Sequence, residues 1–189
     1  MMWEKSMLDV TPIWTVHIQQ QNYRALLQAM SRPGSVSNIG CGDNDKAYLA
    51  VLATLLDGEV SLADPQQLLN DQDWPLLQAA PLDSTHADYL LLEGSQTTAV
   101  QPKLGTLPSP EDSSTLIISV QSLTQGDLHL RLSGPGVNGT SDVAIDGLHH
   151  DWISQREEWV CAFPLGVDMI LVDQDAVMAL PRTTRVEVI

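Results

Sequence analysis

The chain is 189 residues long and carries 24 acidic against nine basic residues, a net charge of −15 with neutral histidine, while 43% of its residues are apolar. That length predicts one compact domain able to fold without disulfide or metal staples, because a chain of this size buries about 70% of its unfolded surface. So acidic a balance repels phosphate backbones and anionic lipid, which argues against nucleic-acid and membrane partners.

The first ten residues include Trp3, Glu4, Lys5 and Asp9 where a signal peptide needs an apolar stretch. The longest apolar run, Ala47 to Leu56, is about half a membrane span. Cys41 and Cys161 lack metal-ligand spacing and read as small core residues in a reducing cytoplasm.

In chain order, a helix is predicted from about His17 to Met30, with Tyr23, Leu26, Leu27 and Met30 forming its apolar stripe. Ser31-Arg32-Pro33-Gly34 stops it, since proline has no amide hydrogen to give and glycine accepts the positive φ of a type II turn. A short strand at Val36 to Ile39 leads to Asp43-Asn44-Asp45, acidic caps for a second helix reaching Leu56. After a strand at Glu59 to Leu62, Asp64-Pro65 predicts a third helix of one or two turns.

Tyr89 to Leu92 reads as a buried strand, and the stretch from Pro102 to Ser114 as the least structured part of the chain. Thr115 to Val120 is expected to form a hairpin with Leu128 to Ser133, whose Leu128, Leu130 and Leu132 share one face, and Gly134-Pro135-Gly136 closes it. A helix from Leu148 to Val160, strands at Val167 to Val172 and Ala176 to Leu180, and an extended piece at Arg185 to Val188 complete the chain. Helices and strands interleave, so the expected class is α/β, a single domain with a mixed β-sheet flanked by helices.

The sequence has no GxxxxGK[ST] phosphate loop, HExxH or GxSxG. His149-His150-Asp151 is the one local metal-like cluster, and adjacent helical residues point about 100° apart, so a solvated helix start is expected there instead. The pairs Asp43/Asp45 and Asp173/Asp175 sit beside turns and read as caps or solvated loop residues, not as acid/base pairs. Lysine occurs only at positions 5, 46 and 103, which leaves little choice of anchor for a Schiff-base cofactor. The six arginines, Arg24, Arg32, Arg131, Arg156, Arg182 and Arg185, should each find a carboxylate or an anion in so acidic a chain.

Five ordered motifs stand out: Tyr23-Arg24-Ala25-Leu26-Leu27-Gln28-Ala29-Met30-Ser31-Arg32-Pro33-Gly34, Thr115-Leu116-Ile117, Leu130-Arg131-Leu132-Ser133-Gly134-Pro135-Gly136, Phe163-Pro164-Leu165-Gly166-Val167-Asp168, and Ala179-Leu180-Pro181-Arg182-Thr183-Thr184. In this order the chain resembles the H-subunit family of the bacterial carbon-phosphorus lyase system, PhnH. The resemblance implies a trimmed relative of pyridoxal-phosphate transferases that has lost the cofactor lysine, and hence no cofactor. It also implies a cytoplasmic component of an assembly with G, I and J subunits, homodimeric when alone. That assembly displaces adenine from MgATP with an alkylphosphonate, giving α-D-ribose 1-phosphonate 5-triphosphate; the I subunit carries the displacement and the J subunit the later bond scission. No residue of this chain acquires a catalytic role from the resemblance. Its motif residues are candidates for binding or subunit contact: Arg24, Arg32, Pro33, Gly34, Arg131, Gly134, Gly136, Phe163, Pro164, Gly166, Asp168, Pro181, Arg182, Thr183 and Thr184.

Two readings of these residues differ in class. In one they serve assembly; in the other Arg131, Arg182 and Thr183 converge on a phosphonate or nucleotide phosphate. Phe163 is expected to pack, and Gly166 to admit a close backbone approach. Arg182 is expected to be buried or half-buried beside Asp168, because the turn at Asp173 to Asp175 pairs the two flanking strands antiparallel.

Overall fold

The computed structural model describes residues 12–42 and 46–189. The expected caps Asp43 and Asp45 lie outside them. Helix α1 (Val16–Ser31) is followed by β1 (Ser37–Asn38), α2 (Ala47–Leu55), β2 (Ser61–Ala63), α3 (Trp74–Leu77), β3 (Ala80–Pro81) and β4 (Tyr89–Glu93). Then come β5 (Thr115–Ser119), β6 (Leu128–Ser133), β7 (Thr140–Ile145), α4 (Asp151–Val160), β8 (Asp168–Val172), β9 (Ala176–Leu180) and β10 (Arg185–Val188).

Seven strands form a mixed sheet in the order β1-β9-β8-β5-β4-β2-β3, in which β3, β2, β4, β5 and β8 run parallel and β9 and β1 are antiparallel additions. The central strands are apolar on both faces, the mark of a sheet covered on both sides. Leu91, Ile117, Ile170, Val177 and Ala179 face one way and join a core with Leu26 and Ala29 of α1 and Ala50 to Ala53 of α2. Leu90, Leu92, Leu116, Ile118, Met169, Leu171 and Met178 face the other way, against Leu130, Leu132, Ile145, Trp152 and Ile153. That second face is covered by α4 and by a three-stranded sheet, β10-β6-β7, so helices alone do not flank the large sheet.

The predicted hairpin of Thr115 to Val120 with Leu128 to Ser133 does not form. β5 pairs in parallel with β4 and β8, while β6 pairs antiparallel with β7 and β10. Residues 115–119 are apolar on both sides and are stabilised most at the sheet's centre, whereas β6 has one polar face and suits a sheet open to water. Gly134-Pro135-Gly136 lies on the connection from β6 to β7 instead.

Two helical expectations are also corrected. α1 buries Asn22, Leu26 and Ala29 and leaves Tyr23 and Leu27 exposed. Asn22 is tolerated inside because its amide donates to Gly40 O (3.0 Å) and its carbonyl accepts Gly40 N–H (2.7 Å), so both polar groups are paired. No helix follows Asp64-Pro65. The Asp64 carboxylate accepts the N–H groups of Leu68 and Leu69 at 2.9 and 2.8 Å, and Gln67 has φ +56°, which breaks helical geometry. The short helix falls ten residues later, at α3.

Candidate functional site

The fold brings four of the five motifs into one continuous belt. At its centre is the turn Pro181-Arg182-Thr183-Thr184 between β9 and β10. β8 and β9 pair with Met169 opposite Leu180, which sets Asp168 beside the turn. Asp168 accepts the Arg182 backbone N–H at 2.7 Å and the guanidinium Nη2 at 2.7 Å, with both side chains about one-sixth exposed. Arg182 also donates to Pro110 O at 2.9 Å, to Pro164 O at 3.4 Å and to the Ser113 hydroxyl. One guanidinium thus ties the Phe163-Pro164-Leu165-Gly166-Val167-Asp168 motif and the irregular 102–114 stretch to the turn, with its donors paired inside the protein.

The other motifs dock through glycines. Gly134 has φ +123°, and a Cβ there would stand 2.9 Å from Thr183 O. Gly136 has φ +83°, and a Cβ there would stand 2.4 Å from Ser31 O and 2.8 Å from Cδ of the buried Pro33. Only glycine fits such contacts, so the turn after β6 wedges between the end of α1 and the Pro181–Thr184 turn. Gly34 (φ +83°) packs on Leu132 of β6, and Gly166 lies against the backbone of Trp159 and Val160 as expected.

A second arginine holds the same turn from behind. Arg156, one helical turn after the buried Trp152 on α4, is 1% exposed. Its Nη2 donates to Pro181 O at 2.6 Å and to Thr184 O at 2.9 Å. Burial pushes its pKa down to about 10, against the pull of the Asp168 and Glu157 charges, so it remains charged at neutral pH. Ser113 is a site residue that sequence reasoning did not name, and Arg156, expected with the other arginines to find a carboxylate or an anion, meets two backbone carbonyls instead. The i, i+4 spacing of Trp152 and Arg156 places the arginine on the helix's apolar face, and that was the available signal.

Between α4 and the segment after β9 lies an open cleft of about 680 Å³, lined among others by Arg156, Phe163, Arg182, Thr183, Thr184 and Arg185. Arg131 is not on its wall. It pairs with Asp142 across the small sheet through two 2.8 Å bonds, and this exposed pair raises the arginine pKa and lowers that of the aspartate. The convergence of Arg131, Arg182 and Thr183 on one ligand is therefore not what the fold builds. Arg24 and Arg32 are exposed on α1 and just after it, and among the described residues neither pairs with a carboxylate. Phe163 is 70% exposed, not packed, and Cys161 is exposed while Cys41 is half-buried, so neither cysteine is a core residue.

His149, His150 and Asp151 bring one ligand atom each within 4.8 Å of one another. The argument from helical spacing fails because the histidines precede α4, with His150 at its N-cap, and their rings stack at 4.5 Å. A further cleft of about 520 Å³, lined by Cys41, Lys46, Tyr48, Glu93, Ser119 and Asp173 among others, opens at the carboxyl ends of β4, β5 and β8. None of its lining residues belongs to the ordered motifs.

The family described as Bacterial phosphonate metabolism protein (PhnH) matches residues 12–187. The chain is 38% identical to the putative C-P lyase subunit protein HtxG of Stutzerimonas stutzeri, over 92% of this chain and 88% of the relative. It is 26% identical to the alpha-D-ribose 1-methylphosphonate 5-triphosphate synthase subunit PhnH of Rhizobium meliloti (strain 1021), over 89% of this chain and 90% of the relative. A match spanning the α1 turn, the β6 turn, the Phe163 loop and the Pro181 turn covers the whole interlocked belt, and the chain belongs to the PhnH family of bacterial phosphonate metabolism proteins.

Proposed function

We propose that this chain is a non-catalytic, assembly-forming subunit of a carbon-phosphorus lyase core complex containing G, I and J subunits. In that complex an alkylphosphonate displaces adenine from MgATP to form α-D-ribose 1-phosphonate 5-triphosphate. The names of the relatives support the complex. The observation that carries the supporting role is how the motif residues are used. Arg182 and Asp168 satisfy each other, and Gly134 and Gly136 are filled by backbone from other motifs. A belt spent on internal ties presents a shaped surface, not a nucleophile with its base.

Exposed apolar side chains flank this belt. Tyr23 and Leu27 sit one turn apart on α1, both about half exposed, and Phe163 stands beside the cleft. Such residues lose water when a subunit docks, which supports the reading that the isolated chain self-associates as a homodimer; the same reading puts it in the cytoplasm. The test is co-expression with the G, I and J subunits, followed by purification and mass measurement with and without them. A stable complex containing this chain, and a dimer in its absence, is the expected result. Failure to co-purify with any of the three overturns the assembly role, and a monomer at micromolar concentration overturns the dimer.

A further inference from the structure

The outward side of α1 carries a second apolar stripe, which no other described part of the chain covers. The inward side, with Asn22, Leu26 and Ala29, is buried against β9 and α2. On the outward side Val16 is 82% exposed, and Tyr23 and Leu27 are about half exposed. Together with Gln20 they stand at i, i+4, i+7 and i+11, the alternating spacing of a seam between packed helices. A surface helix needs one apolar stripe to meet its own core, so a second one facing water marks a contact made outside the chain.

Charge sets this side apart from the rest of the molecule. From Val10 to Gly42 the sequence has no aspartate or glutamate, the longest such stretch in a chain that carries 24 of them. Arg24 borders the stripe and Arg32 stands just past the end of the helix; both are exposed, and among the described residues neither pairs with a carboxylate, whereas Arg131 and Arg182 each do. An aromatic ring, aliphatic side chains and free guanidinium groups, with carboxylates absent between them, have the composition of an interface core. The place is also fixed in advance. Gly136 packs against Ser31 O and the buried Pro33, so the belt holds the end of α1 before any partner arrives.

The same charge pattern selects the occupant. A two-fold contact of this face with itself sets Arg24 and Arg32 against a segment without a carboxylate and brings like charges together. An acidic surface elsewhere on a second copy meets it only head to tail, which builds rings or open filaments and not a closed dimer. A different protein, with carboxylates around an apolar centre, matches both the stripe and the guanidinium groups.

We propose that the outward face of α1, with Val16, Tyr23, Arg24, Leu27 and Arg32 on it, is the docking surface for a partner subunit that presents an apolar patch bordered by carboxylates. The choice of the G, I and J subunits as probes rests on the functional reading above, and the homodimer of that reading then falls to the Phe163 side of the belt. The experiment co-expresses the full chain with the G, I and J subunits, one of them tagged, and reads how much of it is retained per tagged subunit. Leu27→Glu and the Arg24→Glu, Arg32→Glu double variant should each be retained at about a tenth of the parent level or less, as loss of a central interface contact does. Leu107→Glu, at a more exposed leucine outside α1, and Arg131→Ala should be retained as the parent is. The thermal midpoint of each isolated variant should match the parent's; if Leu27→Glu lowers it, the arginine double variant, which breaks no internal ion pair, decides the outcome. Full retention of both α1 variants beside a retained parent overturns this proposal and leaves the assembly role standing. A parent that none of the three subunits retains overturns the assembly role and this proposal with it. A Leu27→Glu chain whose own mass falls from dimer to monomer shows that a second copy occupies the face, and also overturns the proposal.

Discussion

Asp168 accepts both the backbone N–H and the guanidinium of Arg182, each at 2.7 Å, so one carboxylate fixes the course of the chain after β9 and the direction of the side chain that leaves it. The guanidinium then reaches Pro110 and Ser113, more than sixty positions earlier in the sequence. Arg182→Ala should cost about 3 kcal/mol, as removal of one partner from a largely buried ion pair does. The Arg182→Met, Asp168→Leu double variant should cost clearly less than the sum of the two single changes. Urea unfolding of the four proteins reads the coupling, and strict additivity would show that the pair does not act as a unit.

Arg131 offers the contrast. Its bond to Asp142 has equally good geometry, but both side chains are about half exposed. Arg131→Ala should leave the unfolding midpoint unchanged within error at 0.15 M ionic strength, because water and salt screen such pairs (Debye length ~8 Å). A drop comparable to that of Arg182→Ala would contradict the ranking by burial.

Two of the three glycines on the β6–β7 connection should behave differently. Gly139→Ala meets no atom within 4 Å and suffers only its φ of +76°, so a loss of about 1 kcal/mol is expected. Gly136→Ala adds a collision with Ser31 O to a similar φ, and should lose about 2 kcal/mol or more. Thermal denaturation of both variants checks the order, and equal losses would mean that the α1 turn yields easily.

Asp88 should contribute a pH dependence. Burial raises its pKa, but the Lys103 ammonium and the Ser61 hydroxyl and N–H outweigh burial and hold it below the usual carboxylate range. Its folded value is lower than its unfolded one, so the unfolded chain binds more protons and stability rises with pH. The contribution is complete above the unfolded value of about 4 and is lost as pH falls through the folded value. Asp88→Asn should therefore be less stable than the parent at pH 7, with the gap closing below about pH 4. A gap that stays constant down to pH 2.5 would remove this carboxylate from the acid response.

The sequence by itself determined the features made by neighbours in the chain. The β8–β9 hairpin is one: two apolar runs joined by Asp173-Gln174-Asp175 can pair in few ways, and the register that follows puts Asp168 beside Arg182. α1 with its Pro33-Gly34 stop, the apolar runs of β4 and β5, and the end of α4 are likewise features of neighbouring residues. The tertiary structure alone decided which distant segments share a layer. β5 takes β4 and β8 as partners, and β6 takes β7 and β10, because the gain from covering both faces of a central strand outweighs the short connection between β5 and β6. It also decided which arginines are enclosed. Arg156 lies on a buried helical face and meets the Pro181 turn, whereas Arg131 ends in water. Chain spacing states where a side chain points along its own element, but burial and charge pairing depend on what packs against it, and that is a sum over contacts from the whole fold.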